Sequence, residues 1–410
     1  MSAALFDLAL RVSARDHGGP VPRLLHNPAP GRDVVVAVGA RRTGPVVHVQ
    51  AVGPDGGVHK GSGAAGLAAL ARAAGCVGGD LGAGATALVD SAATMRALAG
   101  LATSYADPAR CGDVAVRAGS ALAGWWVERA AHPGTTAVTN VLAATRQRFM
   151  LGVAPGADHP AMWRRALGVP AGLAGVHAWH RVVTAGPVLP GLESLREDDD
   201  WHLGHHQEAV TEGRSWDRPE TLQLAAARLA SRCDAADLYA AALLADPLWR
   251  ARGVHNGYVL TGDVVTGAGA AGNRVVVAAP RLDTRLKTGA AVIGWPGGPM
   301  GDMPAAGENR FGGEVYGTAV RDGVLLVTIG GLGRTGYRAG AGEAVTVIPA
   351  PPSVSTIRSR RMAVSRLYRR RFSWLSQGST PATTRRPIPL AVMIAAADDE
   401  PTETSNAHSA

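Results

Sequence analysis

Six short runs rich in β-branched residues follow one another between residues 254 and 350, separated by glycine-rich turns. They cover 257–265, 273–279, 289–295, 313–320, 324–330 and 344–349. Runs of this length with turn signals between them predict an antiparallel β domain, either a small barrel or a sandwich. Asp322-Gly323 falls between two of the runs and reads as a two-residue hairpin. The Gly/Pro-rich span 296–312 reads as a long excursion from the sheet.

The opening of the chain is also strand-rich. Residues 33–40 and 45–52 are β-branched runs joined by the turn-like RRTG, and GPDGG at 53–57 makes a second turn. Ala-rich helices are expected over 63–75 and 86–101. A hairpin followed by a helix also opens the ribonuclease H-like folds. Their chemistry needs carboxylates inside the strands, and these runs carry none past Asp33 at the very start, so that fold is set aside. From 112 to 252 the pattern is mainly helical, with candidates at 120–131, 136–151, 160–167, 219–232 and 235–245. The last two could form a helix-turn-helix, but no recognition helix is evident.

A chain of 410 residues exceeds one ordinary core. The expected class is α+β. A mixed N-terminal part (1–111) is followed by a helical region (112–252), a β domain (253–350) and a basic tail (351–410). The content of 46% hydrophobic and 18% charged residues is that of a globular chain. The N-terminus lacks a basic leader and Asp7 interrupts its apolar run, so neither a signal peptide nor a transmembrane helix is expected. Cys76, Cys111 and Cys233 form no CxxC pair. They point to free thiols, hence to a reducing intracellular setting or a virion.

Charge is unevenly placed. Residues 344–410 hold nine arginines and four acids, a net +5, while residues 1–343 carry a net +3. Seven of those arginines crowd into fourteen positions: Arg358, Arg360, Arg361, Arg366, Arg369, Arg370 and Arg371. Between Glu343 and Asp398 there is no acidic residue. A GC-rich genome would explain the arginine total, since lysine occurs only at Lys60 and Lys287. It does not explain the clustering. Guanidinium groups fork onto phosphate oxygens, and Tyr368 and Trp374 could stack on unpaired bases. Other readings of the segment are an anionic membrane surface and a basic helix docked on the protein's own acidic surface.

His202, His205 and His206 lie at i, i+3 and i+4, so a helix would place them on one face. Such a set, with Asp200 or Glu208, could hold zinc or another transition metal. The alternative is a histidine-rich acidic surface loop, because Gly204 weakens the helix. Gly267, Gly269 and Gly272 spell G-x-G-x-x-G between two strand-like runs, where a loop is expected. Gly82, Gly84 and Ala87 repeat the pattern before a candidate helix, with Asp107 twenty residues on. Eight of nine tryptophans lie between 125 and 295, as core or as groove lining.

These readings lead to a non-catalytic, nucleic-acid-associated structural protein without a cofactor. A self-assembling coat or packaging protein and a plasmid- or mobile-element-associated binding protein both fit, in contact with phosphates through the arginine-rich segment. Binding would be nonspecific and the protein a homo-oligomer. The alternative is a metal-dependent hydrolase built on the three histidines.

Overall fold

The computed structural model describes residues 3–102, 105, 111–211, 222–267, 273–305, 307–333, 337–353, 357 and 359. The chain enters through α1 (Ala3–His17) and β1 (Val21–Pro22). It then forms β2 (Val35–Thr43), β3 (Val46–Val52), β4 (Val58–Ser62), α2 (Ala64–Ala74), β5 (Thr86–Val89), α3 (Ala92–Ala102), α4 (Val114–Arg129) and β6 (Val138–Asn140). β2 to β6 make one five-stranded sheet in the order β4-β3-β2-β5-β6. The β2–β3 and β3–β4 pairs are antiparallel, whereas β2–β5 and β5–β6 are parallel.

Helices fill the crossovers from β4 to β5 and from β5 to β6. A sheet order of this kind follows from burial and crossover geometry. The segment 86–101 is not one helix. Thr86–Val89 is a strand with all four residues buried, and α3 begins after it. A parallel strand buried on both faces shows no alternation, so it reads like the first turn of an apolar helix. The expected helix 136–151 divides in the same way into β6 and α5 (Val141–Arg148).

The sheet has two covered faces. Val36, Val38, Val47, Val49, Ala87 and Val89 pack on α2, α3 and α4. The other face packs through Ala37, Val52 and Leu88 on Val141, Trp163, Val176 and Trp179. The latter come from α5, then β7 (Phe149–Met150), α6 (Pro160–Ala166) and α7 (Gly175–Val183). Helices α2 and α4 meet backbone to backbone at Gly119, where a Cβ would lie 1.9 Å from the Leu67 carbonyl oxygen. No rotamer relieves a clash with backbone. Gly119→Val should therefore cost about 1–3 kcal/mol or more, read as a lower urea midpoint with the m-value unchanged.

Next come α8 (Glu193–Thr211), α9 (Leu222–Leu243) and α10 (Pro247–His255). The expected pair at 219–232 and 235–245 is one helix, because Asp234 sits inside α9 instead of capping a new one. Asp246 is the N-cap of α10. Its fully buried carboxylate also accepts from the Leu25 and His26 amides, at 2.7 and 2.9 Å. α1 docks on α10 through paired bonds from Arg252 to Asp7, at 2.9 and 3.0 Å.

The last strands are β8 (Leu260–Thr266), β9 (Arg274–Ala279), β10 (Ala291–Pro296), β11 (Phe311–Arg321), β12 (Val324–Gly330) and β13 (Ala344–Pro349). They close into a barrel in the order β10-β11-β12-β9-β8-β13, so the six expected runs form the barrel alternative of the two. Alternate side chains fill it, among them Val275, Val277, Leu325, Val327, Ile329, Val345 and Val347. Asp322 and Gly323 both take positive φ, 51° and 73°, as a tight hairpin with right-handed strand twist requires.

Trp125, Trp126, Trp163, Trp179 and Trp295 are fully buried, which makes them core residues, while Trp201 is exposed. Cys76, Cys111 and Cys233 are free thiols. Among the described residues no helix is long and apolar enough to cross a membrane.

Candidate nucleic-acid interface

One face of the β2–β3–β4 hairpins emerges from beneath α6 and α7. Because side chains alternate, Gly39 and Arg41 of β2 share a face, as do His48 and Gln50 of β3 and Lys60 and Ser62 of β4. The register aligns them in two rows, Arg41–His48–Ser62 and Gly39–Gln50–Lys60. Ser62 Oγ and His48 Nδ1 lie 2.8 Å apart. The opposite wall comes from the end of β5. There Asp90 and Ser91 precede α3, and Ser91 Oγ accepts from the Ala93 amide at 3.1 Å. Arg164 of α6 closes one side. Its guanidinium lies 4.8 Å from the Trp179 ring, donates to the Pro170 carbonyl and stands 3.6 Å from Asp90 Oδ2.

Together these residues line an open cleft of about 880 Å³. It lies at the carboxyl end of the parallel β2–β5 pair, where β2 continues into the β3 hairpin and β5 turns into α3. The amino end of α3 contributes Ala93 and Thr94 to the same wall, their amides bonded to the Ser91 hydroxyl and carbonyl. Three permanent cations, Arg41, Lys60 and Arg164, and one carboxylate, Asp90, line it. Arg164 is engaged with Asp90. Among the described residues, Arg41 and Lys60 are exposed and have no ion-pair partner.

Sequence reasoning missed this cleft. Period-two alternation could have placed Arg41, His48, Gln50 and Lys60 on one side, but only once the hairpin register was known.

The arginine segment stands differently. Arg358, Arg360, Arg361, Arg366, Arg369, Arg370 and Arg371, with Tyr368 and Trp374, lie outside the described residues, and so does nearly all of the expected helix 356–375. Just ahead of them Ile357 is buried, and its amide donates to the Ser353 carbonyl at 3.0 Å.

The histidine set is not gathered. α8 does run through Gly204, but its buried stripe is Leu195, Asp199, Leu203 and His206. His206 points into the core, where Nε2 donates to the Ala121 carbonyl at 2.7 Å. Burial lowers its pKa to about 4. His205 stacks on Trp201 on the outer surface, with ring centroids 4.0 Å apart. His202 sits 3.8 Å from Asp198 Oδ2. The i, i+3, i+4 spacing put the Cα atoms on one side, but the set straddles the edge of the buried stripe, and each ring follows its own surroundings. Among the described residues no group of three His, Cys, Asp or Glu side chains is placed to hold a metal ion.

The second glycine pattern also changes meaning. Gly82 and Gly84, with φ of 53° and 74°, feed directly into strand β5, which contains Ala87, so no helix N-terminus follows them. Asp107 and Gly269 and Gly272 lie outside the described residues. Comparisons with protein-family models, curated proteins and solved structures found no match to this chain.

Proposed function

We propose that this chain is a nucleic-acid-associated structural protein whose arginine-rich segment neutralises phosphates of a genome or plasmid. The observation that carries this reading is local charge density. Seven guanidinium groups fall within fourteen residues, in a stretch of more than fifty residues that holds no carboxylate. Such a segment cannot neutralise itself. It needs an anionic surface with closely spaced charges, and a phosphodiester backbone supplies one. The segment follows the last barrel strand, so it would extend from a folded body.

Assembly into a coat or packaging array is part of the same reading. The outer face of α1 supports it, because Leu5, Leu8 and Val12 are each about half exposed in one stripe.

The test is a salt titration of the full chain on a DNA duplex. Removing three phosphate contacts by Arg369→Ala, Arg370→Ala and Arg371→Ala should flatten the slope of log K against log salt by about 2.7. An unchanged slope removes the segment from the interface. Size-exclusion chromatography with light scattering, read at 260 and 280 nm, reports assembly and co-purifying nucleic acid together.

A further inference from the structure

We infer that the cleft between β2–β4 and the start of α3 is a second phosphate-binding site, one that holds the sugar-phosphate backbone against the folded body. The inference rests on the nucleic-acid reading above and adds a site to it.

Four observations support it. The first is charge: two exposed cations, Arg41 and Lys60, converge on the cleft, and neither has an ion-pair partner among the described residues. One of them is among the chain's two lysines. The second is hydrogen-bonding capacity. Gln50, Ser62 and Ser91 line the walls. Third, the lining includes Gly39 and Gly172, and a Cβ on Gly172 would meet only open space, so a ligand backbone can approach the protein main chain there. Fourth, the lining holds no Phe, Tyr or Trp; its one aromatic ring is His48, which is paired with Ser62, and its largest apolar residue is Leu173. Contact therefore falls mainly on phosphate and sugar, and binding at this site is largely sequence-independent for that reason. The cleft is open to solvent, which suits a passing polymer better than an enclosed small molecule.

The experiment uses the full chain and a fluorescein-labelled thymidine 20-mer, followed by anisotropy from 50 to 300 mM salt. Arg41→Ala with Lys60→Ala should weaken binding by on the order of tenfold or more at the low-salt end. The log–log slope should flatten by about 1.4, two contacts' worth on a single strand. Lys287→Ala, the other lysine, should change neither. Both cleft side chains stand in solvent, so the double variant should keep its circular dichroism. If it does not, Lys60→Ala alone, on the edge strand, should still flatten the slope by about 0.7.

The tail triple variant runs beside these. If the tail variant weakens binding and the cleft variants do not, the second site is wrong and the functional reading survives. If neither weakens binding, both fall. If the cleft variants alone act, the folded body is the interface and the tail assignment falls.

Discussion

Asp199→Ala should destabilise the protein by about 3–5 kcal/mol, more than any other single change in the α8 acidic run. The carboxylate is fully buried and accepts from Arg129 Nε at 2.6 Å, from the Thr136 amide at 2.6 Å, and from the Thr136 and Thr135 hydroxyls at 2.9 and 3.0 Å. Arg129, 2% exposed, lies at the end of α4, and the two threonines lead into β6. One side chain therefore joins a helix, a sheet and α8. Its removal leaves a buried guanidinium with Asp198 at 3.0 Å and strands one amide and two hydroxyls. Buried donors without acceptors cost more than the bonds themselves contribute.

The neighbours provide the control. Asp200 pairs with Arg32 at 2.7 Å but is half exposed, and Arg32 keeps a bond to the Ala83 carbonyl. Asp200→Ala should cost less than about 1 kcal/mol. Urea midpoints should rank Asp199→Ala lowest, Asp198→Ala next and Asp200→Ala near the parent. At an m-value of about 3 kcal/mol/M, the first should fall by 1 M or more. Equal midpoints for Asp199→Ala and Asp200→Ala would mean that water reaches the pocket.

That triad also shows what a sequence conceals. EDDDWHLGHHQE reads as an acidic, histidine-rich loop, and composition supports that reading. The fold makes it a helix with Asp199 and His206 inside and Trp201 and His205 outside, because a helix turns 100° per residue. The barrel, by contrast, was legible strand by strand. Strands such as β9 and β12 bury alternate residues, and alternation records that directly, while β13 is a nearly continuous apolar run bounded by turns. β5 was hidden because a short strand buried on both sides has no period to read, and β6 because three residues are too few to show one. The sheet order was hidden because it joins segments far apart in sequence, Val35 beside Thr86 and Ala87 beside Val138. Of the cleft, only the cations were visible, since what joins Arg41 to Lys60 is a register across three strands. The tail arginines could be read from sequence because their signal is density.

Acid should unfold this protein between pH 6.5 and 4. Among the described residues three histidines are buried, and all three have lowered pKa values: His132 to about 3, His180 to about 4 and His206 to about 4. Desolvation is the main cause in each case. The charge of Arg129 adds to it at His132, and that of His177 adds to it at His180. In the unfolded chain each imidazole returns to about 6.5. Between the folded and unfolded values the unfolded state binds more protons, so stability rises with pH across that window and is lost as pH falls through it. At about 1.4 kcal/mol per unit, each histidine costs the native state roughly 3 kcal/mol by pH 4. Three such terms rival the whole stability of an ordinary domain, about 5–15 kcal/mol. Tryptophan fluorescence is a direct probe, because Trp125, Trp126 and Trp179 lie in the cores that must open. A cooperative transition centred between pH 5 and 4 is expected. His206→Gln retains a donor for the Ala121 carbonyl but cannot be protonated, so its transition should move to lower pH by several tenths of a unit. Native fluorescence persisting at pH 3.5, or a His206→Gln midpoint equal to the parent's, would show that the buried rings are not what acid attacks.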